Sequence, residues 1–134
     1  MKITTALRSA IAQDLIAAMA NGSTNPNPVM EIYTGTIPAM GGTISDTLLA
    51  TLTLTTQVAT ESNGVITFDA ITEDGSADAS GDAGWCRVLD RDGGEAAYFT
   101  IADDGSGEIN FNSVSIVAGA PVAVSSLTVT VGGA

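Results

Sequence analysis

The stretch Thr47–Thr55 constrains the fold more than any other. It reads Thr-Leu-Leu-Ala-Thr-Leu-Thr-Leu-Thr, with Leu48, Ala50, Leu52 and Leu54 at one parity and Thr51, Thr53 and Thr55 at the other. A strand turns successive side chains to opposite faces, so this pattern predicts a half-buried strand with leucines inward and threonines outward. β-Branched threonine suits a solvated pleated surface.

Later segments repeat the device. Val29–Gly35 predicts a strand with Met30 and Ile32 facing in, and Glu31 and Tyr33 facing out or toward a partner. Asn63-Gly64 is a strong hairpin signal and leads into Val65–Ala70, with Ile66 and Phe68 inward. Gly84–Asp90 returns to strand, Asp92-Gly93-Gly94 turns the chain, and Glu95–Ile101 places Ala97, Phe99 and Ile101 on one face. Asp104-Gly105-Ser106-Gly107 turns it again. Beyond that turn the alternation slips phase twice: Ile109 and Phe111 disagree with Val114 and Ile116, and Val122 and Val124 disagree with Leu127, Val129 and Val131. One face stays buried across such a slip only if a residue is inserted, which predicts bulges or breaks near Asn112-Ser113 and Ser125-Ser126.

One helix precedes the strands. Over residues 4–20, Ile3, Leu7, Ile11, Leu15 and Met19 recur every four residues, with Ala10 and Ala18 beside them. Thr4 or Thr5 caps the start and Asn21-Gly22 supplies the stop. Such a stripe covers one end or face of the β core, or else packs on a neighbouring subunit. Residues 21–28, with Pro26 and Pro28, form a linker, and 29–134 form the β region. The expectation is thus a single all-β domain, 1–134: an antiparallel β-sandwich of immunoglobulin-like or jelly-roll type with one N-terminal α-helix. A chain of 134 residues suffices for one core burying roughly two thirds of the unfolded surface.

Charge narrows the partners. Four Lys and Arg against fifteen Asp and Glu give a net charge of −11. Nucleic-acid backbones and anionic membranes both call for clustered cations, so neither is an expected partner. No stretch approaches the ~20 apolar residues of a membrane span. Lys2 and Ala18-Met19-Ala20 imitate a secretory signal, but Arg8, Gln13 and Asp14 interrupt its apolar core. The lone Cys86 excludes an internal disulfide and fits assembly in a reducing cytoplasm.

Groups for chemistry are sparse. With no histidine, Ser-His-Asp and Cys-His arrangements and histidine metal ligands are excluded. Between Trp85 and Val88, Cys86 reads as a small core residue. The loop 72–83 carries Glu73, Asp74, Asp78 and Asp82 without EF-hand spacing, and Asp103-Asp104-Gly105 with Glu108 is no more regular. Both read as solvated turns rather than calcium sites, and no cofactor, metal or catalytic residue is expected. Trp85, Tyr33 and Tyr98 are the candidates for stacking on a sugar. Trp85, with Arg87 and Leu89 on the same side, reads as a core or interface anchor.

Two groups of residues carry a family likeness. Glu31-Ile32-Tyr33-Thr34-Gly35-Thr36-x-Pro38 is followed, after a Gly/Ser/Thr loop, by Leu48-Leu49-Ala50-Thr51-Leu52. Ala83-Gly84-Trp85-Cys86-Arg87 is followed by Asp90-Arg91-Asp92-Gly93. With the N-terminal helix and the Asn-Gly hairpin, this resembles a group of small virion proteins from tailed bacteriophages over nearly the whole chain, although Cys86 stands where a larger apolar residue is expected. The resemblance implies a structural virion protein, similar to capsid cement (decoration) proteins, that is assembled in the host cytoplasm and acts as a homo-oligomer on the major capsid protein. A tail or baseplate accessory protein and a host-glycan-binding module are the alternatives, and an enzyme is not expected. The residues expected at an interface are Leu7, Ile11, Leu15, Glu31, Tyr33, Trp85 and Arg87.

Overall fold

The structure is a computed structural model that describes residues 1–133. Among the described residues, one helix, α1 (Thr5–Ala20), is followed by nine strands: β1 (Val29–Thr34), β2 (Leu48–Thr53), β3 (Ala59–Ser62), β4 (Val65–Phe68), β5 (Gly81–Leu89), β6 (Glu95–Ala102), β7 (Ile109–Asn110), β8 (Ser115–Ile116) and β9 (Thr128–Thr130). A large sheet runs in the order β2-β1-β5-β6-β7, with β8 pairing the start of β5, and a small sheet runs β3-β4-β9. Both contribute to one apolar core with α1, where Phe68 of β4 meets Phe99 of β6 edge-on at 6.5 Å.

Local sequence explains most elements. Asn63 and Gly64 both adopt positive φ (54° and 82°), which the tight turn between β3 and β4 requires. Leu52, Leu54, Ile66, Phe68, Phe99 and Ile101 are buried, as their parity predicts. Both phase slips become breaks: β7 and β8 are separated across Asn112-Ser113, and β9 begins only after Ser125-Ser126.

Two expectations about the strands need correcting. The pairing is not wholly antiparallel, because β6 and β7 run parallel, with Ile101 opposite Ile109. The segment between them closes a full loop rather than a hairpin. Asp104 accepts the Ser106 N–H, and Gly107 is so crowded that a Cβ there would stand 2.7 Å from the Ala102 nitrogen. The outward threonine face is also only half-exposed, and Leu49, of threonine parity, is buried. The segment Thr72–Asp78 lies along the free edge of β2: Thr53 and Thr72 exchange backbone hydrogen bonds, and Asp74 Oδ2 accepts the Thr51 N–H at 2.9 Å.

The helix is capped by Thr4, whose Oγ1 accepts the Leu7 N–H, and the chain leaves it through Gly22 at φ 102°. It does cover the core, but not with the whole four-residue stripe. Each residue turns a helix about 100°, so a four-residue repeat drifts about 40° per step. Leu7 and Ile11 therefore stand about 120° and 80° away from Met19. Ala12 and Met19 are buried and Leu15 and Ile16 pack against the core, whereas Leu7 and Ile11 are 48% and 42% exposed. α1 rests against β3, β4 and β6, and the Arg8 guanidinium donates to the Val131 carbonyl at 3.0 Å.

Candidate functional site

The outer face of the large sheet gathers the one tryptophan and both tyrosines. Strand register places Tyr33 opposite Trp85 and Glu31 opposite Arg87 across β1 and β5. It then places Arg87 opposite Tyr98 across β5 and β6. Alternation puts all five side chains on one face. The Tyr33 and Trp85 rings stack at 4.7 Å with 14° between planes, and Tyr98 tilts against Trp85 at 5.1 Å. The Arg87 guanidinium lies 5.7 Å from the Tyr33 ring centroid, within cation–π range.

Charges tie the rings together. Arg87 Nε meets Glu31 Oε1 at 2.6 Å and Nη1 meets Glu95 Oε2 at 3.2 Å. Tyr33 donates its hydroxyl to Glu31 at 3.3 Å, and Tyr98 donates to Glu95. Burial opposes the charge on Arg87, but its hydrogen bond to Glu31 and the attraction of that carboxylate outweigh the penalty and raise its pKa. Tyr33 is raised by burial and then by the Glu31 charge. Tyr98 is raised chiefly by its bond to Glu95, and that same bond lowers Glu95.

Trp85 is fully buried and Tyr33 is 5% exposed, because the chain between β1 and β2 is fastened over them. The indole N–H donates both to the Thr34 carbonyl (3.0 Å) and to Asp46 Oδ2 (2.9 Å). The loop leaves β1 through Gly35 at φ 84°, and the β1–β5 register shifts there, so that Gly84 has no partner between the Tyr33–Trp85 and Thr34–Ala83 pairs. An inserted residue of this kind is a bulge.

The second motif forms a polar clasp. Asp90 Oδ1 accepts the N–H groups of Asp92 and Gly94, which shapes the β5–β6 turn. Asp92 Oδ1 accepts from Ser23 and Thr24 at 2.9 and 3.0 Å, and Arg91 donates to the Asn25 carbonyl. The expected linker is thereby bound to the turn. Backbone donation from Ser23 and Thr24 lowers the Asp92 pKa, and the Asn21 side chain with the Gly94 amide lowers that of Asp90.

Of the residues expected at an interface, Glu31, Tyr33, Trp85 and Arg87 form one cluster. Leu7 and Ile11 stand exposed on α1, and Leu15 packs inward. Tyr33 and Trp85 offer no open surface of their own; the loop over them occupies it. Asp46 and Glu95 were not legible as members. The parity of Tyr98 after the Asp92-Gly93-Gly94 turn was the available signal for the third ring. Cys86 is fully buried, and burial pushes its thiol up to about 12. Among the described residues, no three acidic or cysteine side chains gather as a metal-binding group, and no helix is long and apolar enough to cross a membrane.

These features define a mostly β protein with one helix and two sheets, whose motif residues fasten loops to the large sheet. The chain matches no family model, no curated protein and no solved structure at a significant level.

Proposed function

We propose that this is a structural virion protein of a tailed bacteriophage, of the capsid-cement kind, working by surface contacts with the major capsid protein and with copies of itself. One observation carries the reading. Glu31–Thr34, from the first stretch behind the resemblance, pairs beside Ala83–Arg87 from the second, and together they form the Tyr33–Trp85–Arg87 cluster. The likeness therefore rests on residues that shape a single folded unit. An acidic chain carrying −11 suits a protein displayed at high copy number beside packaged DNA, since self-repulsion maintains solubility and like charge prevents DNA binding.

The finer architecture we propose is an immunoglobulin-like or jelly-roll sandwich. The chain leaves the large sheet after β2, forms the β3–β4 hairpin of the small sheet, and returns as β5 beside β1. That long return is of the Greek-key kind. The glycan-binding alternative is less well supported, because stacking on a sugar needs exposed rings and the Tyr33–Trp85 pair is covered.

Mass spectrometry of separated heads and tails from virions encoding this protein tests the proposal. The expected result is the protein on heads, with loss of heat resistance when its gene is deleted. Presence on tails alone would replace the cement assignment with the tail or baseplate one. Absence from both would overturn the virion reading.

A further inference from the structure

We infer that the outer edge of β9 is a homodimer interface, at which two copies pair antiparallel through Thr128 and Thr130 and join their small sheets. Three observations converge there. First, the edge is open. Phe68 N–H bonds the Leu127 carbonyl and Val131 N–H bonds the Gly64 carbonyl, so alternate residues 127, 129 and 131 face β4. Thr128 and Thr130 consequently aim their backbone groups away from the sheet. Among the described residues, neither amide has a hydrogen-bond acceptor.

Second, the edges of β2 and β3 are guarded while this one is not. Thr72–Asp78 covers β2. β3 carries the charged Glu61, which is bonded to Gln13 of α1. Proteins blunt exposed edges with charges, prolines or covering segments because bare ones recruit strands. β9 carries none of these, and its ladder extends beyond the strand to Leu127 and Val131.

Third, charge selects the occupant. From Ile109 to Ala134 the sequence contains no Asp, Glu, Lys or Arg, although the chain as a whole carries −11. An acidic copy is repelled by most of the surface of another and can approach over this neutral segment without that penalty. The same segment, residues 110–126, lines an open groove of about 470 Å³ that ends two residues before β9, so contact can spread beyond the paired strands. A two-fold arrangement sets exposed threonines of the two copies across from one another, a favourable cross-strand pairing.

The test is sedimentation equilibrium of the full chain with residue-resolved amide exchange. A dimer is expected, with Thr128 and Thr130 amides protected at high concentration and exchanging freely on dilution. Thr128→Pro removes an outward donor that β4 does not use. It should weaken dimerisation about tenfold, with thermal unfolding of the monomer unchanged. Leu7→Glu with Ile11→Glu should leave the dimer intact. A monomer at all concentrations, a dimer with unprotected Thr128 and Thr130, or a dimer abolished by the helix pair would each overturn the inference. None of these outcomes depends on where in a virion the protein is found.

Discussion

The carbonyl oxygen of Gly35 passes so close to Gly84 that a Cβ on Gly84 would stand 1.9 Å from it. This contact lets the β1–β2 loop cross β5 at the bulge and close over Trp85. No side-chain rotation relieves it, since the crowding atom belongs to the backbone.

Gly84→Ala should therefore destabilise the protein by at least about 3 kcal/mol, near the upper end for overpacking. Gly93→Ala provides the contrast: no atom crowds its Cβ position, but φ is 82°, so about 1 kcal/mol of backbone strain is expected. Urea unfolding of both variants measures the difference, and equal losses would refute the close-crossing account.

Asp46→Ala removes one of two acceptors for the Trp85 indole. The Thr34 carbonyl still accepts that N–H, so the ring keeps a partner, and a loss of about 1 kcal/mol is expected. The loop loses its tether to the indole and keeps those between Thr47 and Thr34, and tryptophan fluorescence should shift to longer wavelength as water reaches the ring. An unshifted spectrum would mean that the loop is held by other contacts.

The drift of the helical stripe separates two substitutions that the sequence treats alike. Met19→Ala should cost about 2–5 kcal/mol, because Met19 is fully buried. Leu7→Ala should stay within about 0.5 kcal/mol, because Leu7 is exposed. Thermal unfolding of the two variants decides, and similar losses would contradict the observed helix face.

The clasp gives an acid-side prediction. The folded-state pKa of Asp92 is lowered by the Ser23 and Thr24 amides. Its contribution is therefore fully present above the unfolded value of about 3.9 and is lost as pH falls through the lower folded value. Protection of the Ser23 and Thr24 amides, taken as the ratio of intrinsic to observed exchange rate, should fall below about pH 4. Asp92→Asn should flatten that dependence. Exchange insensitive to pH beyond its intrinsic chemistry would remove the carboxylate from the account.

What the residues settled by themselves is local. Alternation in Ala50–Leu54 and Ala97–Ile101 marked the buried parity, Asn63-Gly64 marked the tight turn, and the two slips of phase marked where strands stop. Each signal lies within a few residues, because a strand's period and a turn's φ are properties of neighbouring residues. The tertiary structure decided what the other face meets. Tyr33 and Trp85 have the parity of exposed residues, yet they are buried beneath a loop that holds them through Asp46, 39 residues from Trp85 in sequence. Leu7 and Ile11 have the spacing of core residues, yet the helix turns them to solvent. Alternation and helical period sort side chains into faces, but whether water or another segment covers a face depends on contacts between distant parts of the chain, which no local pattern encodes.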